Sequence, residues 1–264
     1  MKSLKKQKDE NLEPVLFKDP FPTFPWNIPE LEPELEHIKK ILSREYQFKI
    51  YPEISKIFRG FELVPQNKVN VVIIGQDPYN NGVANGIAFS VDPPKDAENV
   101  AIPRSLEVIF REIKRSYQIE KEPKTGDLTS WCKQGVLLIN YSFTVFELRP
   151  NSHEYLWAGF TYKLVRYLNR ENLNLVFMLW GSKAAMLEEI IDSNKHLVLT
   201  APHPASESYS SRSWENSEDT TQYESYRFNK GIKKTFIGCD HFKKANEYLQ
   251  DKRNIRIDWL TVFE

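Results

Sequence analysis

Residues 71–91 read VVIIGQDPYNNGVANGIAFSV, a continuous apolar run that breaks into a polar, proline-containing loop. The run itself begins at residue 69, and similar runs occupy residues 135–142, 173–180 and 196–201. Continuous apolar runs are typical of strands buried on both faces, as in a parallel sheet. Helical patterns lie between the runs, so the sequence predicts an α/β fold with a mainly parallel sheet.

The predicted helices follow from apolar residues that recur on one stripe. In the segment 105–117, for example, Leu106, Ile109, Phe110 and Ile113 share one face. Helices are predicted on this basis at residues 34–46, 105–117, 153–170, 182–194 and 241–249.

Composition excludes several classes of protein. The chain has 264 residues, 41% of them apolar and a formal net charge of zero, which is enough apolar material for one large domain or two small ones. No apolar run approaches the ~20 residues of a membrane span, and the charged first residues do not resemble a secretory leader. The two cysteines, Cys132 and Cys239, have no ligand spacing around them, which argues against a disulfide framework or a zinc site and fits a reducing compartment.

Polar residues follow three of the four predicted strands. Asp77 comes after the first run, Asn140 ends the second and His203 follows the fourth, while Gly181 and Ser182 follow the third. Ligands bind beyond the carboxyl ends of strands in open parallel sheets, so these side chains are candidates for one site. Each also has an ordinary explanation: an Asp-Pro turn, a strand-end cap and a surface histidine. Position alone therefore suggests a polar site of a hydrolase without a metal cluster, a nucleophile elbow or a phosphate loop.

Five blocks, taken in order, resemble the family 1 uracil-DNA glycosylases. They are GQDPYN with NGIAFSV, GDLTSWCKQGVLLINYSFTV, LVFMLWGSKA, HPAS and FIGCDHFKKANEYL, and the likeness spans roughly residues 45–260. The resemblance implies a single α/β domain with a central, mostly parallel four-stranded sheet flanked by helices. It also implies hydrolysis of the N-glycosidic bond between uracil and deoxyribose in DNA, which requires no cofactor and no metal.

The resemblance assigns roles to six residues of the site. Asp77 matches the carboxylate that orients the attacking water, and His203 matches the histidine that donates to O2 of uracil. Gln76, Tyr79, Phe89 and Asn140 match the residues that bind the base: Asn140 reads its polar edge, Phe89 stacks on it and Tyr79 excludes a methyl group at C5. Without the resemblance, Phe89 would be read as a core aromatic and Tyr79 as a turn aromatic.

Ser105 matches a serine that contacts DNA phosphate in the family, and Ser182 and Ser208 are candidates for the same contact. Ser105 could also cap the helix that follows Pro103. Lys183, Lys243 and Lys244 could add electrostatic attraction, although lysines on helices are usually solvated.

The chain departs from the family pattern at three places. Asn80 stands where the family usually has histidine, and Glu207 stands where it has an apolar wedge that fills the space left by the flipped base. An insertion at about residues 209–233, rich in Ser, Glu and Thr, follows the wedge position; it could reorganise on DNA, dock a partner or be a tolerated surface loop. If Glu207 weakens duplex binding, a neighbour such as Tyr209 could insert instead.

We therefore expect a tail at residues 1–25 and a catalytic domain at residues 26–264. The expected function is uracil excision that initiates base excision repair, by a monomer acting on single- or double-stranded DNA, with a replication or repair protein as a candidate partner. The alternative is a DNA-binding or replication-accessory module with reduced catalysis. The expected location is the nucleus or cytoplasm; secretion and a membrane are not expected.

Overall fold

The computed structural model describes residues 21–45, 47–92, 102–208 and 235–264, with the side chains of residues 207 and 208 excepted. Its centre is a sheet of four parallel strands, in the spatial order Val136–Asn140, Val71–Gly75, Val176–Trp180 and Leu197–Ala201. These strands are β2 (Val71–Gly75), β3 (Val136–Asn140), β5 (Val176–Trp180) and β6 (Leu197–Ala201). The predicted α/β fold with a four-stranded parallel sheet is confirmed, and each strand lies within its apolar run.

A second, smaller sheet pairs β1 (Ile50–Tyr51) with β4 (Val145–Phe146) in antiparallel fashion. Sequence patterns did not predict this pair, because two-residue strands carry no measurable periodicity.

The helices flank the central sheet. They are α1 (Glu32–Arg44), α2 (Arg59–Leu63), α3 (Arg104–Tyr117), α4 (Thr129–Cys132), α5 (Glu154–Glu171), α6 (Ser182–Ala185) and α7 (His241–Arg253). Four of the five predicted helices correspond to α1, α3, α5 and α7. Among the described residues, no helix is both long and apolar enough to cross a membrane.

The predicted helix at residues 182–194 is wrong in length. Only Ser182–Ala185 is α-helical, and Met186–Ile190 continues as a 3₁₀ helix. The Ile191 N–H donates to the Glu188 carbonyl three residues back, and the Asn169 side chain of α5 accepts from the Asp192 N–H at 2.7 Å. These two bonds give the backbone other partners and end the helix before Asp192.

The packed domain begins earlier than predicted. Phe21 and Phe24 lie against the core, and the Phe24 ring meets Phe160 of α5 edge-on at 5.5 Å between centroids. Residues 21–25 thus belong to the domain and not to a tail, whereas residues 1–20 lie outside the described residues. The predicted insertion at about 209–233 also lies outside them.

A buried carboxylate connects α3 to the turn before α7. Glu112 is fully buried and accepts hydrogen bonds from the Gly238 N–H at 2.6 Å and the Asp240 N–H at 2.8 Å, and from Arg115 at 2.8 and 2.9 Å. Burial opposes its ionisation, but the Arg115 guanidinium and the two N–H groups outweigh it and lower the pKa of Glu112. A lowered pKa stabilises the fold above the ordinary range of the carboxyl, and this contribution is lost as the pH falls through the folded value.

We predict that Glu112→Ala lowers the free energy of unfolding by about 2–4 kcal/mol, because it removes the buried acceptor of two backbone N–H groups and one of the two carboxylates that pair with Arg115. Glu107→Ala is the matched control, since Glu107 lies on the same helix and pairs with Arg104 in solvent at 3.0 Å. Its effect should stay within about 0.5 kcal/mol. Urea unfolding at pH 7 measures both variants, and equal losses would contradict this role of Glu112.

Candidate active site

The first part of the site forms where β2 and β3 end side by side. Gly75 is paired with Asn140 in the parallel register. Beyond the strands, the Tyr141 N–H donates to the Gly75 carbonyl at 3.0 Å and the Ser142 N–H donates to the Gln76 carbonyl at 2.9 Å. These bonds continue the ladder and fix the start of the loop 76–80 against the end of β3.

Phe89 returns the chain to this edge of the sheet. The Ala88 N–H donates to the Leu138 carbonyl of β3 at 3.3 Å, and Phe89 adopts a left-handed backbone with φ of 65°. Such a conformation costs roughly 1–3 kcal/mol in a non-glycine residue and is concentrated at functional sites. The Phe89 ring lies between Trp180 at 5.4 Å and His203 at 5.7 Å, so it joins the core to the predicted catalytic histidine.

Gly75 makes room for both pocket side chains. A Cβ atom at Gly75 would lie 2.6 Å from Asn140 Oδ1 and 2.7 Å from Phe89 Cζ. Both distances are shorter than any ordinary carbon contact, so the amide and the ring occupy the space that a side chain would take.

A small cavity opens at this point. It is lined by Pro52, Ile57, Pro78, Tyr79, Ala84, Gly86, Ile87, Ala88, Phe89, Ile139, Asn140 and Phe143. Three of the four predicted base-binding residues therefore share one cavity with apolar walls, as small-molecule sites require. Gln76, Asp77 and His203 are not among the lining residues.

Tyr79 is held by its hydroxyl group. The hydroxyl is 3.1 Å from the Phe89 carbonyl and 2.8 Å from Ser105 Oγ. Burial raises the pKa of Tyr79, while hydrogen bonds from Ser105 and the Leu106 backbone oppose the rise. Ser105 is 5% exposed and is the second residue of α3, so the alternative that it caps this helix is wrong.

Asp77 is bound by the turn that precedes α5. The Asn151 N–H donates to Asp77 Oδ2 at 2.8 Å. Burial raises the pKa of Asp77, whereas the Asn151 N–H and the Gln76 side-chain amide lower it, and the nearby negative charge of Glu154 raises it further. The net pKa is raised, so the carboxylate costs more to ionise than a solvated one.

His203 is a neutral imidazole with a defined tautomer. The Ala205 N–H donates to His203 Nδ1 at 3.2 Å, so Nδ1 carries no proton and Nε2 is the donor. Burial lowers the pKa of His203 to about 4. The histidine packs over Gly181, where a Cβ atom would lie 3.2 Å from His203 Cβ.

The predicted phosphate contacts stay predictions. Ser182 is the first residue of α6, and Ser208 ends a 3₁₀ helix, Pro204–Ser208, that lies against α3. The side chains of Ser208 and Glu207, as well as Tyr209, lie outside the described residues.

Two of the candidate lysines are bonded within the chain. Lys183 Nζ pairs with Glu154 at 2.6 Å, and Lys244 Nζ donates to the Cys239 carbonyl at 2.7 Å. Lys243 lies over the Tyr117 ring at 6.0 Å. Any attraction of these lysines for phosphate must therefore compete with existing partners.

Within the described ranges, no group of three or more His, Cys, Asp or Glu side chains is arranged to hold a metal ion. Cys132 and Cys239 are both buried as free thiols, and burial raises the pKa of each to about 12.

Sequence reasoning missed Asn151, Gly75 and Glu154, which all act on the predicted site. The Pro150-Asn151-Ser152 sequence indicates a turn. Nothing in it indicates that the turn meets Asp77, 74 residues away.

Residues 61–250 match the model of the uracil DNA glycosylase superfamily. The chain belongs to that superfamily. It is 38% identical over 228 residues to a uracil-DNA glycosylase of human herpesvirus 7 (strain JI), and the aligned region covers 86% of this chain and 80% of the relative. It is 40% identical over 237 residues to "Uracil-DNA glycosylase 2" of Bacteroides fragilis (strain YCH46), covering 87% of this chain and 94% of the relative.

The fold agrees with this membership. A crystal structure of mimivirus uracil-DNA glycosylase superimposes with a TM-score of 0.71 at 28% identity, covering 88% of this chain and 83% of the other. Membership of the uracil DNA glycosylase superfamily, which the five sequence blocks suggested, is thereby confirmed, and the individual roles of the matched residues stay predictions.

We predict that Gly75→Ala lowers kcat/KM for uracil release on the order of 10²-fold, because the new methyl group displaces Asn140 and Phe89 by about 1 Å. Overpacking should cost about 1–3 kcal/mol of stability.

The matched control is Gly159→Ala within α5, where a Cβ atom would meet only Glu34 Cγ at an ordinary 3.7 Å. This variant should keep full activity and gain about 0.5–1 kcal/mol of stability. Steady-state kinetics and thermal unfolding of the two variants provide the comparison; a fully active Gly75→Ala enzyme would refute the packing argument.

Proposed function

We propose that this protein removes uracil from DNA by hydrolysing the N-glycosidic bond, the first step of base excision repair. The observation that carries the proposal is the convergence of Tyr79, Phe89 and Asn140 on one cavity, with Asp77 and His203 at the same sheet edge. This arrangement occurs in a chain that belongs to the uracil DNA glycosylase superfamily.

The cavity suits a base that has left the duplex. An enzyme that acts on a base must flip it into a pocket, because the stack hides the reacting atoms. Asn140 is 8% exposed and offers both a donor and an acceptor, which match O4 and N3–H of uracil. Cytosine presents the reverse pattern and would leave buried polar groups unpaired, at a cost of roughly 1–3 kcal/mol for each group.

As the glycosidic bond breaks, His203 stabilises the negative charge on uracil and Asp77 stabilises the positive charge on the sugar. Negative charge develops on the uracil ring, and a neutral His203 with its proton on Nε2 is a donor to O2. A preorganised donor of this kind contributes ~10²–10³ in rate. The sugar becomes cationic, and the Asp77 carboxylate both stabilises it and orients the attacking water, which is worth on the order of 10²–10⁴.

One carboxylate is sufficient for this reaction. Glycosidases that release an alcohol need a second carboxyl group as an acid. The uracil anion is delocalised, so a hydrogen bond to it replaces a full proton transfer.

Catalysis is favoured over the alternative of a DNA-binding or replication-accessory module. The matches to proteins named uracil-DNA glycosylase extend over more than four fifths of the chain. The five matched residues Asp77, Tyr79, Phe89, Asn140 and His203 are all present. We further propose that the protein acts as a monomer on single- or double-stranded DNA, with a replication or repair protein as its partner. A location in the nucleus or cytoplasm is consistent with this substrate and with two free thiols.

The deciding experiment measures uracil release from matched single-stranded and duplex oligonucleotides. We expect release from both, with the duplex slower relative to a glycosylase that carries leucine at the position of Glu207, since an acid is a poor wedge between bases. Absence of release from either DNA would refute the proposed function.

Substitution of the two reacting side chains tests their roles. Asp77→Asn and His203→Gln should each lower kcat by about 10²–10⁴-fold. Asp251→Asn and His37→Gln are the controls, because both residues lie on exposed helix faces, and they should keep wild-type rates. Rates within threefold of wild type for either site variant would remove that residue from the mechanism.

A further inference from the structure

One asparagine contacts both residues that begin the catalytic loop. The Asn151 backbone N–H donates to Asp77 Oδ2 at 2.8 Å, and Asn151 Oδ1 accepts from Gln76 Nε2 at 2.7 Å. We propose that Asn151 is a positioning residue that holds the Gln76 amide and the Asp77 carboxylate in the orientation the reaction needs.

The Gln76 amide has two possible orientations, and only one suits the carboxylate. An ionised carboxylate only accepts hydrogen bonds, so the NH₂ group of Gln76 must face Asp77. The Gln76 side-chain amide lowers the pKa of the Asp77 carboxyl, and its Nε2 donates to Asn151 Oδ1 at 2.7 Å. The acceptor on Asn151 thus selects the productive orientation, because a flipped amide would present its oxygen to the carboxylate.

Asn151 suits this place in its backbone as well. Its φ is 63°, in the left-handed region that Gly and Asn tolerate and most other residues avoid. The turn is tied on both sides: the Phe146 N–H donates to Ser152 Oγ at 2.8 Å, and the Glu154 N–H donates to the Asn151 carbonyl at 3.2 Å. The donor to Asp77 is therefore held in place before substrate arrives.

The consequence for Asp77 is geometric and electrostatic. The Asn151 N–H takes up one acceptor site of Oδ2, and acceptor sites that remain on the carboxylate are left for water and the sugar. The charged group that acts on it is Glu154 of α5, which is paired with Lys183 of α6 at 2.6 Å, whereas the titratable His203 beyond β6 is neutral. Losing the Gln76 donor would raise the pKa of Asp77 and move the acidic limb of the kcat/KM profile to higher pH.

The test compares Asn151→Gly with Asn254→Gly. Glycine keeps the left-handed backbone and the N–H donor at residue 151 and removes only the side-chain acceptor. Asn254 is a close match, since it also has positive φ, 53°, and its Oδ1 also accepts from a glutamine, Gln250, at 2.7 Å. It lies at the end of α7 and has no contact with the loop 76–80 in the described structure.

We expect Asn151→Gly to lower kcat roughly 10-fold to 100-fold, because the released Gln76 amide no longer holds its NH₂ group toward the charged Asp77 carboxylate. KM should change less than threefold, and the acidic limb should move upward in pH. Asn254→Gly should show wild-type kcat, KM and pH profile. Identical profiles for both variants would overturn the proposal, and so would a rise in KM at constant kcat.

A double-mutant cycle with Gln76→Ala isolates the mechanism. If Asn151 acts through Gln76, adding Asn151→Gly to Gln76→Ala should change kcat less than threefold. Fully multiplicative losses would overturn the proposal.

This inference rests on the proposed function, because uracil release is the measured activity. Wild-type protein that releases no uracil refutes the function itself. An active wild type with an unaffected Asn151→Gly variant refutes only the positioning role.

Discussion

The absence of a side chain at Gly75 is the constraint on which the pocket depends. Gly75 is the last residue of β2 and lies beside Asn140, the last residue of β3. A methyl group there would lie 2.6 Å from Asn140 Oδ1 and 2.7 Å from the Phe89 ring. The amide that would read the base and the ring that would stack on it are close to each other because the strand between them ends in glycine. The same arrangement also holds the Phe89 backbone in the left-handed region, which is a strained conformation for a residue other than glycine.

Burial shifts the pKa values of Asp77 and His203 in opposite directions but favours the neutral form of both side chains. It raises the pKa of Asp77 and lowers the pKa of His203 to about 4, so in both cases the neutral form gains. The difference between the two residues lies in their partners. Asp77 accepts from donors that support its charge, whereas the partner of His203 is an N–H group that excludes a proton on Nδ1. The site thus combines a carboxylate whose charge is supported by donors with a neutral imidazole donor, which is the combination suited to a cationic sugar and an anionic base.

The sequence was sufficient to predict the parallel strands and the residues at their ends, but it did not predict the contacts that loops make with the site. Four apolar runs located the strands, and the rule that parallel strands end at one edge was enough to bring Asp77, Asn140 and His203 together. Their roles came from family resemblance, since an Asp-Pro turn or a buried phenylalanine has ordinary explanations. The contacts of Asn151 with Gln76 and Asp77 could not be foreseen, because they join segments about 75 residues apart through a turn with no periodicity. The helix that begins at Ser182 ends earlier than predicted because the Asn169 side chain of α5 accepts from the Asp192 N–H. Local sequence patterns do not predict such a contact between two elements.

Ser105 illustrates how a residue predicted for one surface can also serve the pocket. Its hydroxyl is 2.8 Å from the Tyr79 hydroxyl, which is itself 3.1 Å from the Phe89 carbonyl. A carbonyl only accepts, so the Tyr79 proton goes to Phe89 and Ser105 must donate to Tyr79. A DNA phosphate also needs a donor, so Ser105 can bind it through the hydroxyl only by giving up Tyr79. The predicted phosphate contact of Ser105 and the position of Tyr79, which is predicted to crowd C5 of the base, would therefore be coupled through one proton at the start of α3.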